Sequence, residues 1–140
     1  MKIKFFAILP AVLILIFLTA CEPKGNTDQA KSSKLIPAVD IGDGIVSFRF
    51  EVTDDTQTVK AWNVGTNQST VGDALLEVGL IKGDVSSLGL MVTEVNGLIS
   101  DFSENQSWWA FYISGEFSMT GVDSTFIEQG KVYAFVYTIG

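Results

Sequence analysis

Ser69-Thr70-Val71-Gly72-Asp73-Ala74-Leu75-Leu76-Glu77-Val78-Gly79 is the stretch that decides the fold. Thr70 offers the hydroxyl of a helix N-cap, and Asp73 stands three residues on, in the position of a capping box. Val71, Ala74, Leu75 and Val78 recur at helical spacing, and Gly79 stops the run. The spacing predicts a helix of about ten residues, too short to stand alone in water. It needs a sheet to cover.

The flanking sequence supplies strands. Ile45 to Val52 alternates, with Val46, Phe48, Phe50 and Val52 on one face and Ser47, Arg49 and Glu51 on the other. Asp54-Asp55 makes a turn, and Gln57 to Val64 reads as the partner strand. Beyond the helix, Gly89 to Val95 is apolar and β-branched, Asn96-Gly97 is a hairpin turn, and Leu98 to Ser100 returns. Asp101 to Ser107 reads as a polar loop. Trp108 to Ile113, Phe117 to Thr120 and Val132 to Thr138 complete the strands. The expected class is α+β, β-grasp-like, with one short helix packed on a mixed or antiparallel β-sheet.

The N-terminus reads as a leader. Lys2 and Lys4 precede an apolar run from Phe5 to Leu18, and Leu18-Thr19-Ala20-Cys21 follows. The run falls short of the roughly 20 residues a membrane span needs, and Pro10 interrupts it. The ending resembles a bacterial lipobox, in which the cysteine is lipidated and becomes the mature N-terminus. The expected organisation is a lipoprotein signal over 1–20, a flexible tether over 21–39 and a folded domain over 40–140. Attachment through Cys21 places the domain on the extracytoplasmic face of a bacterial membrane. A diacylglyceryl group brings two chains, and two signals make a stable anchor.

Composition excludes several chemistries. The chain has nine Lys and Arg against sixteen Asp and Glu, a formal charge of −7, which becomes −9 once Lys2 and Lys4 leave with the leader. Such a surface argues against nucleic acid. There is no His, which removes the usual general base near neutral pH. The single Cys is committed to lipid, which removes thiolate chemistry and disulfides. Asp40-Ile41-Gly42-Asp43-Gly44 has two carboxylates, where a calcium loop needs six to eight oxygens. There is no Gly-rich phosphate loop and no GxSxG elbow. The expectation is a protein that is not an enzyme, with no metal site and no required cofactor.

The aromatic residues are the better candidates for function. Trp108 and Trp109 are adjacent on one strand and point to opposite faces. Trp109 and Phe111 are expected under the helix with Leu75 and Val78. Trp108 and Tyr112 then form a platform on the second face, which is either structural or a binding surface for a flat ligand or a protein. Phe117 and Met119 would make an apolar lip, and Asn96 would offer amide hydrogen bonds.

Three segments together resemble the transcobalamin-like C-terminal domain family: Ser69 to Glu77, Gly89 to Leu98, and Trp108-Trp109-Ala110-Phe111-Tyr112-Ile113-Ser114-Gly115-Glu116. Met119 to Asp123 and the ending from Gly130 to Thr138 match too, so the resemblance spans about Ile45 to Ile139. It implies a soluble-ligand-binding β-grasp fold. The family's animal members close over one face of cobalamin, and its bacterial members are often surface lipoproteins of unsettled function. The animal carriers add a large helical domain that this chain lacks. The leading expectation is therefore a lipid-anchored module that binds a small molecule, with cobalamin or a related ligand first. The alternatives are a surface protein-interaction or adhesion module and an acidic cation-binding domain.

Overall fold

The computed structural model describes residues 36–140. The leader, Cys21 and most of the expected tether lie outside the described residues. Within them, strands dominate an α+β arrangement of two sheets.

The first strand, β1 (Ala38–Ile41), begins just before the expected domain boundary. It pairs in parallel with β3 (Val59–Thr66), and β3 pairs antiparallel with β2 (Val46–Thr53). The β2 alternation holds: Phe48, Phe50 and Val52 are buried. Asp54 closes the β2–β3 turn by accepting from the Thr56 and Thr58 backbone N–H groups, each at 2.9 Å, and from the Thr56 hydroxyl. That hydroxyl bond leads the effects that hold the Asp54 carboxyl below its ordinary pKa.

Helix α1 (Val71–Glu77) forms as its capping signals require. Thr70 Oγ1 accepts from the Asp73 backbone N–H at 3.2 Å and donates to Asp73 Oδ2 at 2.8 Å. Gly79 takes φ +72°, and the Leu80 N–H closes the helix end on the Leu75 carbonyl. Gly72 is inside the helix because a Cβ there would come within 2.8 Å of the Asp123 backbone.

Three strands then depart from the expected single sheet. β4 (Ile81–Ser86) and β5 (Gly89–Val95), with the two-residue β6 (Leu98–Ile99), form a separate antiparallel sheet. The sequence hides β4 because Gly83 and two charged residues break its pattern. Gly83 lies at a register shift, where a Cβ would meet the Met91 carbonyl. The β5–β6 hairpin turns on Asn96 (φ +49°) and Gly97 (φ +82°), as the pair predicts.

The supposed loop after β6 contains a short helix, α2 (Phe102–Asn105), which Asp101 caps by accepting from the Ser103 and Glu104 N–H groups. β7 (Ser107–Ile113) follows, then β8 (Glu116–Phe117), a 3-10 turn (Val122–Ser124) and β9 (Val132–Ile139). The strand expected over Phe117 to Thr120 is limited to β8. Past it, Ser118 Oγ bonds Thr120 locally and competes with the ladder.

The large sheet runs β1-β3-β2-β9-β7-β8, with β2 and β9 parallel and β7 and β9 antiparallel. Its inner face carries Phe50, Val64, Tyr133 and Phe135, and Leu75 of α1 joins that core. Trp109 and Phe111 belong to the same core, but the expectation that they lie under the helix needs correction. Helix α1 rests mainly on β3, β4 and the 3-10 turn, while the element facing β7 is β5.

Candidate functional site

The antiparallel register of β7 on β9 builds the floor of a cavity. Trp109 lies opposite Tyr137, and Phe111 opposite Phe135, so their rings share the inner face. The Phe111 and Phe135 ring centroids are 5.1 Å apart, and Trp109 stands edge-on to Tyr137 at 5.2 Å. The helix does not reach this end of the sheet, and the small sheet stands beside it without pairing.

The gap left between β5 and β7 is a cavity of about 400 Å³, inside the roughly 300–1,000 Å³ typical of ligand sites. Leu90 and Val92 form one wall, and Gly121 with Val122 closes an end. The lining also includes Phe102, 66% exposed, and Met91 and Trp108, which alternate along their strands with the inward Leu90, Val92 and Trp109 and so turn their side chains toward the other face.

Among the described residues, no ionisable side chain lines this cavity. Its few hydroxyls are at the Thr93, Ser100 and Ser107 end, where two of them bond the backbone. The Ser100 hydroxyl donates to the Thr93 carbonyl at 3.4 Å, and the Asp101 N–H donates to Ser107 Oγ at 2.9 Å. Trp109 is 6% exposed, and its fully buried Nε1 has no hydrogen-bond partner among the described residues. Among the described residues, no group of three acidic or cysteine side chains gathers to hold a metal ion.

The wall at Leu90 is tied down by Asp123. Its Oδ2 accepts the Leu90 N–H at 3.2 Å. Its carboxylate fills the space that a Cβ on Gly89 or Gly121 would need, at 2.8 and 2.5 Å. Three glycines, Gly72, Gly89 and Gly121, thus admit one aspartate that joins the helix, the small sheet and the 3-10 turn.

The residues expected to bind divide into groups. Trp108, Tyr112 and Phe117 do form one aromatic cluster, with Phe117 edge-on to Trp108 at 6.1 Å and to Tyr112 at 5.7 Å. Trp108 alone among the expected binding residues also lines the cavity. Met119 is 91% exposed, and Asn96 occupies the β5–β6 turn, where its N–H donates to the Leu80 carbonyl. Neither lines the cavity. The sequence reading missed Leu90, Val92, Met91 and Phe102. The signal available was Phe102, a large apolar residue in a polar segment just after the capping Asp101.

Residues 68–138 match the family described as "Domain of unknown function (DUF4430)". No curated protein matches the chain. Among solved structures, a Ruminococcus gnavus protein solved as a candidate metal-binding protein is 26% identical, with a TM-score of 0.64. The match covers 67% of this chain and 97% of that one. Haptocorrin in complex with Cbi (cobinamide) is 19% identical, with a TM-score of 0.54. Here the match covers 67% of this chain but only 25% of haptocorrin. The resemblance read from the sequence is therefore a likeness of fold.

Proposed function

This chain belongs to the DUF4430 family, whose description names no activity, and we propose that it is a non-enzymatic module that binds a small-molecule ligand through the apolar cavity between β5 and β7. The observation that carries this reading is the cavity of about 400 Å³ between β5 and β7, whose lining among the described residues is mostly apolar and holds no ionisable side chain. Lipidation of Cys21 would hold the module at the outer face of the membrane. We read the large sheet with its crossing helix as β-grasp-like.

A corrinoid is the first ligand to try, because haptocorrin, which shares the fold, was solved with Cbi. A corrin ring is wider than the cavity. It would seat one edge against Trp109 and Phe111 and lie over the rim. With no His in the chain, no imidazole ligates cobalt. The protein-interaction reading draws support from the Trp108–Tyr112–Phe117 cluster on the opposite sheet face.

Equilibrium dialysis of the full-length protein against cobinamide, following its visible band, tests the ligand reading. Saturable retention at one ligand per chain supports it. No retention at high micromolar cobinamide removes the corrinoid and shifts weight to the protein-interaction reading.

A further inference from the structure

The cavity is bounded by two strand edges that do not pair with each other. Its lining takes in residues one after another, Leu90 to Thr93 on β5 and Ser107 to Trp109 on β7. Met91 and Trp108 turn their side chains to the other face, so what they present to the cavity is main chain. The bonds show which way that main chain faces. The Ser114 N–H donates to the Val132 carbonyl, so the even-numbered residues of β7 turn their N–H and C=O groups to β9. The odd-numbered residues turn theirs to the opposite edge, where the Ser118 N–H meets the Phe111 carbonyl and β8 pairs only Tyr112 and Ile113. Trp109 comes next along that edge, and its backbone N–H and C=O have no partner among the described residues. On β5, the Leu90 N–H turns away from β4 to Asp123 Oδ2, and Val92 follows it by the two-residue period. Main-chain groups left unpaired along a strand edge are a template for a further strand.

From this we infer that the ligand of the cavity is a short extended peptide, which pairs its main chain with the open β7 edge at Trp109 and lays alternate apolar side chains on the inner face beside Phe111 and Phe135. The inference rests on the ligand-binding reading of the cavity and names the ligand's class. Main-chain bonds supply affinity in such strand addition, and the pockets for alternate side chains supply specificity. Charge narrows the peptide further. Asp123 stands at the Gly121 end of the cavity, and Asp101 and Glu104 stand beside Phe102 at the other. No basic side chain lines it among the described residues. The complementary segment has an uncharged, apolar centre and Lys or Arg at its ends.

A matched pair of peptides tests the pairing. The probe is acetyl-Lys-Val-Thr-Val-Lys-amide, and its control carries the same side chains with every inner amide N-methylated, which removes the strand donors. Each is titrated into the full-length protein, with backbone amide exchange followed by NMR and cobinamide run in parallel. The probe is expected to bind saturably, and the control at least about tenfold more weakly. Exchange of the Trp109 backbone amide should slow tenfold or more on binding, against little change at Trp108, whose N–H already faces β9. Equal affinity for the two peptides overturns the pairing. Probe binding that leaves Trp109 exchange unchanged puts the peptide elsewhere and also overturns it. Binding of cobinamide without binding of the probe overturns the inference and leaves the cavity reading in place. If neither cobinamide nor the probe binds, both fall.

Discussion

Asp123 Oδ2 accepts the backbone N–H of Leu90 at 3.2 Å across 33 positions of sequence, and this bond fixes one wall of the cavity to the 3-10 turn. Removing the carboxylate leaves a part-buried N–H without its acceptor. Asp123→Ala should therefore destabilise the domain by about 1–3 kcal/mol and speed hydrogen exchange at the Leu90 amide. Asp123→Asn keeps an acceptor oxygen and should lose less. Urea unfolding with amide exchange measures both. An Asp123→Ala protein with wild-type stability and exchange would show that the tie holds nothing.

Phe111 contributes to the shared core on β7, the strand that β5 faces. It is buried and packs on Phe135 and Tyr133. Phe111→Ala should cost roughly 3–5 kcal/mol, a large part of the roughly 5–15 kcal/mol that a domain usually has. The check is the denaturation midpoint. An unchanged midpoint would contradict the burial.

Tyr133 links stability to alkaline pH. Its ring is buried, and its hydroxyl accepts the Glu128 N–H at 2.8 Å and donates to the Phe126 carbonyl at 3.2 Å. Burial pushes its pKa above the ordinary tyrosine value of 10.0. In the unfolded chain the phenol ionises near that ordinary value, while in the fold it stays protonated. The unfolded state then binds fewer protons, so stability is full below about pH 10 and falls as pH rises through the folded pKa. Tyr133→Phe should flatten that alkaline loss and cost some stability at neutral pH. Unfolding curves from pH 8 to pH 11 measure the slope, and an equal slope in both proteins would contradict it.

The anchor at Cys21 is tested by Cys21→Ala. The variant should lose lipid processing and either remain as the uncleaved precursor or leave the membrane fraction. A variant recovered in membranes at its mature mass would contradict lipidation at this residue.

Several parts of the fold could be read from local sequence, because local chemistry specifies them. Thr70, Asp73 and Gly79 set the ends of α1, Asn96-Gly97 sets the hairpin, and the alternation through Phe48, Phe50 and Val52 sets β2. The parity that buries Trp109 and exposes Trp108 also follows from the strand alone. Which element covers Trp109 does not. That depends on β4, whose pattern is interrupted by Gly83, and on the small sheet standing apart from β7. The cavity is a distance between strands that never pair, and no local pattern encodes it. Trp108 was found from its exposed aromatic character. Leu90 and Val92 looked like ordinary strand residues, because in sequence they are.

The measurement that tests the account most directly is a tryptophan-fluorescence titration of the full-length protein and its Val92→Phe variant with cobinamide. Val92 is in the cavity wall, so the added ring should fill the ligand space while the melting temperature stays within a few degrees. The account predicts saturable quenching in the wild-type protein and affinity at least about tenfold weaker in the variant. Equal saturable binding by both proteins would show that the ligand site is elsewhere, and the cavity between β5 and β7 would lose its claim to function.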